Sequence, residues 1–478
     1  MVDWLQISQA SGSGDSQILV RATENPSYFG RNSSLDVSGN TKSVSIPVYQ
    51  YGVPFRHFTI LIHSGGKVNW TNNYSYTRLS YSINGGNWSE PVSAGSVTLV
   101  AGEAISFRGN NLTCSGLSFN ATAQISLHGN IMSLVDSVGF DTNTTIPSNS
   151  CFYSLFQNSS AVTYADELEL PATTLTPYCY SYMFALCRNL LTVPELPATT
   201  MAEGCYNLMF QGCPSLTTPP ELPATNLAIA CYRGMFSDSS GLTTAPVLSA
   251  TVLADECYSN MFFGCKSLTV APTLPATTLT QSCYQNMFTR CIGITTMPEL
   301  PATTLANGCY KQMFSECTNL KNVSTLPATA LTYQCYQGMF SGCTSLTMAP
   351  ELPATTLAGS CYYSMFQDCT SLTTAPELPA TTLASSCYYS MFYGCSALTR
   401  APVLSASTLV DGCYYNMFYN CGSLSYIECY ATDISASNCT RYWVRYVSQL
   451  GTFVKAASMS SWGTGPNGIP AYWTVINA

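Results

Sequence analysis

Residues 361–372 read CYYSMFQDCTSL, and residues 387–398 read CYYSMFYGCSAL. The motif C-Y-x-x-M-F begins at Cys179, Cys205, Cys231, Cys257, Cys283, Cys309, Cys335, Cys361, Cys387 and Cys413, always at a step of 26. A degenerate copy, CFYSLF, opens the series at Cys151, and Cys439 keeps the step after the rest of the motif has decayed. A fixed period with atypical ends predicts a solenoid, in which each repeat shares its core with two neighbours. Each repeat offers five or six large apolar side chains, worth roughly 1.5–3 kcal/mol apiece when buried. Ordering its backbone costs on the order of 1–2 kcal/mol per residue. One copy cannot stand alone, whereas ten in register can, over a length of roughly 50 Å at strand spacing.

Within a repeat, CYxxMFxxC places apolar residues at 0, 4, 5 and 8, which predicts about two helical turns with one buried face. Glycine before the second cysteine, at Gly212, Gly264, Gly342 and Gly394, is expected to end that helix in a left-handed conformation. LTxAPxLPATTL then alternates between prolines as a short extended segment would. The 23 cysteines are an odd number, Ser239 replaces one of them, and Cys151 and Cys439 lack a partner eight residues on. Columns of buried thiols explain this better than a disulfide framework does. The C-x7-C spacing and only three histidines fit no structural zinc site, and no cofactor is called for.

MFxxCxxLTxAPELP resembles the BspA-like leucine-rich repeat of bacterial surface proteins, with 26 residues per repeat in place of the commoner 23. The resemblance implies adhesion and binding of proteins or glycans, without catalysis. LPATT lacks the final glycine of a sortase signal and recurs internally, so it is no anchor. Residues 1–52 alternate apolar and polar residues between glycines, as short antiparallel strands do. They resemble the second half of a BACON module, matching at Trp4, Leu5, Ile7, Gly12, Gly14, Asn25, Arg31 and Gln50. The family's first strands would lie before Met1: either they precede this sequence in a longer chain, or the gap is natural and its open edge is expected to take strands from a like subunit or another protein. Residues 53–147 predict a second sandwich, with a hairpin at INGGNW, and resemble the β-domain that precedes such repeats. Trp70 and Trp88 are either core or sugar platforms, and single tryptophans on strand-like segments favour core. NCTRYWVRYVSQLG predicts a short helix stopped by Gly451, and the tail to residue 478 predicts a cap.

Charged residues make up 9% of the 478, with a net charge of −8 and no basic run, which excludes nucleic acid as a partner. No apolar run reaches the ~20 residues of a membrane span. His57, His63 and His128 have no acidic residue or cysteine near them in sequence, and are expected to be satisfied strand histidines. Glu195 beside Glu221, and Glu351 beside Glu377, could stack as a calcium or acid pair. Val247, Thr273 and Val403 interrupt that ladder and favour a solvated edge.

The varying positions carry the functional expectation. The residue two after the first cysteine becomes Tyr363, Tyr389 and Tyr415 in the last three repeats, and Tyr393 and Tyr419 join them four residues later. These five are the candidate ligand-binding residues. The whole is expected to be mostly β: a half BACON-like module (1–52), a β-sandwich (53–147), leucine-rich repeats (148–430) with a short helix and short strand each, and a cap (431–478). It is expected to be a non-enzymatic surface protein that binds a glycan or protein on a cell or mucus. The N-terminus lacks a secretory signal, which favours a phage virion fibre or capsid decoration, contacting other virion proteins or like subunits through its first module. The alternative is a secreted or lipid-anchored bacterial cell-surface adhesin expressed without its signal peptide. The resemblance associates both with gut Bacteroidetes and their phages.

Overall fold

The computed structural model describes residues 5–7, 20–22, 31–38, 43–50, 55–73, 77–459 and 462–478, the first four segments by backbone alone. In the N-terminal module β1 (Leu5–Ile7) pairs antiparallel with β2 (Val20–Ala22), and β3 (Arg31–Ser38) with β4 (Ser43–Gln50). Trp4, Gly12, Gly14 and Asn25 lie outside the described residues.

Seven strands follow: β5 (Thr59–Ile62), β6 (Gly66–Asn72), β7 (Ser80–Ile83), β8 (Gly95–Leu99), β9 (Ala104–Arg108), β10 (Leu117–Ala121) and β11 (Ile125–Asn130). They form a three-stranded sheet, β10-β6-β8, and the last four strands of a five-stranded one, in the order β11-β5-β9-β7 after an edge strand from the repeats. Phenylalanines from both sheets meet between them: Phe58 and Phe107 lie edge-on to Phe119 at 5.1 and 4.9 Å. Trp70 packs edge-on to Phe107 at 5.1 Å and is 1% exposed, so it is core. Asn84 and Gly85 both take positive φ, 49° and 72°, and Gly86 N–H bonds the Ile83 carbonyl. That is the primed turn expected of INGGNW.

The fifth strand of the larger sheet, β12 (Val162–Glu169), belongs to the first repeat and pairs parallel with β11. Leu191 N–H in the second repeat in turn bonds the Thr163 carbonyl on β12. One apolar cluster accordingly runs without a break from Phe58 in the sandwich to Trp473 near the chain end.

The repeats contain no helix. Apart from a 3-10 turn at Ile131–Leu134, no helix occurs among the described residues. From Thr176 to Cys187 the chain makes overlapping β-turns: the amides of Cys179, Ser181, Met183, Ala185 and Cys187 each bond the carbonyl three residues back. The intervening amides, of Tyr178, Tyr180, Tyr182, Phe184 and Leu186, bond carbonyls of the next repeat: Glu203, Cys205, Asn207, Met209 and Gln211. An α-helix needs every amide for its own i−4 carbonyl, so a chain that gives alternate amides to its neighbour cannot be one. Every second turn carries a left-handed third residue, as type II turns require. Tyr178, Tyr182 and Leu186 have φ of 57°, 58° and 63°, and the three equivalent positions recur from Ser150, Ser154 and Asn158 to Asn438, Tyr442 and Tyr446. Gly212, Gly264, Gly342 and Gly394 are left-handed, with φ of 65–74°, as members of this series and not as helix ends.

The predicted buried set was also incomplete. The tyrosine directly after the first cysteine faces inward and is at most 2% exposed from Tyr180 to Tyr414. These rings stack from one repeat to the next at 5.8–6.1 Å, and the Phe184 to Phe418 column stacks beside them. All 23 cysteines are free and buried. The second cysteine of each repeat donates its thiol to a phenylalanine carbonyl in the preceding repeat, as Cys213 does to Phe184 at 3.2 Å and Cys317 to Phe288 at 3.0 Å. Where Ser239 stands instead, its hydroxyl makes the same bond to Phe210 at 2.7 Å. The proline-rich segments run extended and touch through parallel single-residue bridges, among them Thr278 with Thr304 and Thr296 with Asn322.

The predicted helix after Cys439 is likewise a further turn unit. Tyr414 and Phe418 amides bond the Cys439 and Trp443 carbonyls, and the Trp443 ring extends the tyrosine column at 6.1 Å from Tyr414. Trp462 stacks on Trp443 at 5.6 Å. Beside them a parallel sheet is formed by β13 (Tyr426–Cys429), β14 (Thr452–Lys455) and β15 (Thr474–Asn477). Gly451 stops no helix; a Cβ there would lie 2.5 Å from the Ser425 carbonyl oxygen and against Trp473.

Two substitutions test this account by denaturant melts. Cys317→Ser keeps the bond to Phe288 and is expected to cost under about 1 kcal/mol, whereas Cys317→Val loses the bond and adds a branch, for about 1–3 kcal/mol. Tyr284→Phe removes a buried hydroxyl that has no partner, and is expected to leave the midpoint unchanged or raise it.

Candidate binding surface

The turn geometry sorts each repeat's side chains. Positions 0, 1, 4, 5 and 8 from the first cysteine are buried throughout, whereas positions 2 and 6 reach the surface where a long side chain occupies them and are buried where Ser181, Ala185 or Ser259 stands. In the last repeats those two outward columns hold the five predicted tyrosines, each half-buried. The rings of Tyr363, Tyr389 and Tyr415 stack in succession at 4.5 Å, with interplanar angles of 8° and 6°. Tyr393 stacks on Tyr419 at 4.9 Å and 4°. Rings stacked this way cover one another's faces, so the ladders present ring edges and phenol oxygens to solvent. Tyr389 lies between the phenols of Tyr363 and Tyr415. Burial, followed by those two neighbouring phenols, pushes its pKa up to about 12.

The turn unit after Cys439 adds four residues that the sequence reading left out. Arg441 continues the column of Tyr415, its guanidinium carbon 5.8 Å from that ring, and Arg445 continues the column of Tyr419 at 5.9 Å. Tyr442 and Tyr446, at left-handed positions, stand edge-on to Tyr415 and Tyr419 at 6.5 and 5.3 Å. The signal was present in RYWVRY, which keeps the 26-residue step from Tyr415 and Tyr419.

The remaining candidates resolve differently. Trp88 is half-buried and occupied by its own chain, with the Arg108 guanidinium 4.2 Å from one ring centroid and His57 at 4.9 Å. Burial, with Arg108 and Arg56 nearby, pushes the His57 pKa down to about 4. His63 is exposed near Tyr164, at 5.8 Å. His128 does have an acidic neighbour, brought from 39 residues away by the β11–β12 pairing: its Nδ1 lies 2.7 Å from Glu167 Oε2, and its Nε2 lies 2.6 Å from Ser126 Oγ. These are the distances of a Ser-His-acid triad, but the exposures are inverted. A triad buries its acid and opens its nucleophile, whereas here the Glu167 side chain is 56% exposed and Ser126 is 4% exposed. The trio ties the first repeat to the sandwich. Glu195, Glu221, Glu299, Glu351 and Glu377 are exposed, and no group of three or more His, Cys, Asp or Glu among the described residues is arranged to hold a metal. No helix among them is long and apolar enough to cross a membrane.

Residues 2–51 match the BACON model, described as "Putative binding domain, N-terminal". Residues 252–373 and 332–441 match the BspA type leucine-rich repeat region, in six copies. No curated protein matches significantly. The chain thus combines BspA-type leucine-rich repeats with a BACON-like domain. Both are binding or structural modules, and BspA-type repeat proteins are typically extracellular or surface-associated.

His57 supplies a pH test of the sandwich. With its folded pKa held near 4, below the usual 6.5, the unfolded chain binds more protons between those values. Stability is therefore expected to fall as pH drops from about 6.5 toward 4, and His57→Gln to flatten that part of the profile, read by urea melts across the range.

Proposed function

We propose that this chain is a non-enzymatic attachment protein whose leucine-rich-repeat solenoid displays a ligand-binding surface built on Tyr363, Tyr389, Tyr393, Tyr415 and Tyr419. The observation that carries the reading is the pair of outward tyrosine ladders on a scaffold whose inward positions hardly vary. Tyrosine combines an apolar ring with a hydroxyl and has few rotamers to lose on binding. A row of them suits glycans or proteins on a cell or mucus surface. The half BACON-like module (1–52) joins the chain to like subunits or to the assembly that carries it, the sandwich (53–147) and the cap (431–478) close the two ends, and the repeats (148–430) hold the ligand.

The carrier we favour is a phage virion, as a fibre or capsid decoration. What supports it is the chemistry of the core: 23 buried free thiols suit folding in a reducing cytoplasm, where virions assemble, better than folding in an oxidising compartment. A bacterial cell-surface adhesin is the second reading, favoured by the typical location of BspA-type repeat proteins.

Binding to mucin glycopeptides and to a panel of neutral and acidic oligosaccharides tests the attachment reading. Tyr389→Ala with Tyr393→Ala is expected to weaken the best ligand at least about tenfold, some 1.4 kcal/mol, with melting lowered by the lost stacking but the chain still folded. Equal binding by the double variant would remove the ladders from the site. Peptide mass spectrometry of purified virions and of outer-membrane fractions separates the two carriers by where the chain is found.

A further inference from the structure

Of the four other arginines in the repeats, Arg188 stands exposed without an ion pair among the described residues and three are paired. Arg233 pairs with Glu256 at 2.7 Å, Arg290 with Glu316 at 2.9 Å, and Arg400 with Glu428 at 3.5 Å. Arg441 and Arg445 make no ion pair among the described residues. Arg441 hydrogen-bonds the Asn438 side chain at 3.4 Å, and Arg445 the Tyr446 hydroxyl at 2.9 Å. Tyrosine rings flank both guanidiniums: Tyr442 and Tyr415 at 5.1 and 5.8 Å from Arg441, and Tyr446, Tyr442 and Tyr419 at 4.8, 5.3 and 5.9 Å from Arg445. In a chain with a net charge of −8 and 9% charged residues, two unpaired cations four residues apart at the end of two hydroxyl rows form a local positive site on a weakly negative molecule.

We propose that Arg441 and Arg445, with the ladders of Tyr389, Tyr393, Tyr415 and Tyr419 leading up to them, form a subsite for an anionic polysaccharide, the guanidiniums taking its carboxylate or sulfate groups. This rests on the attachment reading above and names the ligand class. A guanidinium offers paired N–H donors in a planar fork that matches a carboxylate or sulfate. It keeps its charge on an aromatic face, where the ring quadrupole favours it. The phenol oxygens, each able to donate and accept, continue from the cations along two parallel columns. That arrangement matches a polymer carrying hydroxyls on every unit and acid groups at intervals. An acidic peptide would use the cations and leave the hydroxyl rows largely idle. The two outward columns also place the cations at the same four-residue separation as Tyr389 and Tyr393, so one chain lying across the columns meets both.

The test is calorimetric titration of the full chain with a hyaluronate hexasaccharide, a heparin-derived hexasaccharide, maltohexaose as the neutral control, and oligoglutamate. One or both acidic saccharides are expected to bind at least tenfold tighter than maltohexaose. Arg441→Gln with Arg445→Gln is expected to bring them to the neutral level and to remove most of the salt dependence, with melting unchanged. The hyaluronate and heparin arms separate a carboxylate from a sulfate preference. Equal binding of neutral and acidic saccharides, lost in Tyr389→Ala but kept in the arginine variant, overturns the acidic subsite and leaves the ladder reading standing. Arginine-dependent binding of oligoglutamate without the saccharides overturns it in favour of a protein partner. No binding of any probe overturns the subsite, and failure with the mucin panel as well overturns the ladder reading.

Discussion

Everything in the repeat array follows from how its turn amides are shared. Half of them close β-turns within their own repeat, and the alternate half bond carbonyls of the next, from Tyr178 with Glu203 onward. Closing turns this way forces left-handed backbone at three places per repeat, where even Leu186, Arg290 and Tyr446 sit at φ of 63°. For residues other than glycine that conformation costs roughly 1–2 kcal/mol each. The bonds to the neighbouring repeat offset it, and an isolated repeat has none of them. Stacking therefore sustains the local conformation as well as the buried core, and the two ends become the weak points. The sandwich answers this at one end by lending β11 to the first repeat's β12. At the other, Trp443, Trp462 and the β13–β15 sheet cover the last rings.

The same register accounts for the composition. With repeats held at one step, each outward side chain stands over its counterpart, as the 4.5 Å tyrosine stacks demonstrate. Like charges about 5 Å apart repel by about 0.8 kcal/mol even in water. A charged column would accumulate that term at every step, so the outward columns are mostly Ser, Thr, Asn, Gln and Tyr, and charge stays at 9% of the chain. Two of the cations that do occur answer a glutamate in the following repeat, Arg233 with Glu256 and Arg290 with Glu316. The glutamates stacked without such partners, such as Glu351 and Glu377, are exposed, where water screens them.

The period, the thiol columns and the outward tyrosines were legible because each is a property of sequence spacing alone. The helix was misread because apolar residues at 0, 4, 5 and 8 suit two α-turns and also suit overlapping β-turns that return to the same face every four residues. What separates them is the left-handed positions, where glycine, asparagine, serine and aspartate are frequent but leucine, tyrosine and glutamate also occur, so composition there carries a diluted signal. The inward tyrosine was missed for a related reason: a helix would have turned position 1 away from position 0, whereas the β-turn chain buries both. Glu167 beside His128 was beyond reach, since nothing in a strand's sequence tells which edge it will pair with. Arg441 and Tyr442 were readable in principle, at the right step from Tyr415, but the decay of the motif around Cys439 hid them inside an apparent helix.

Where binding sits then follows from what the register permits. Inward columns cannot vary without disturbing two neighbours, and left-handed positions resist branched side chains, which leaves positions 2 and 6 as the freest sites for change. A substitution there gains little alone. Repeated in the next unit it doubles, and a third copy makes a surface, which is the course visible from Gln337 through Tyr363 and Tyr389 to Tyr415. Growth of such a ladder covers ring faces and leaves edges and hydroxyls for the ligand. The last unit is the place where the column can change character without meeting a further copy of itself. Cations that would repel if stacked can be tolerated there, and that is where Arg441 and Arg445 stand, each against the final ring of its column.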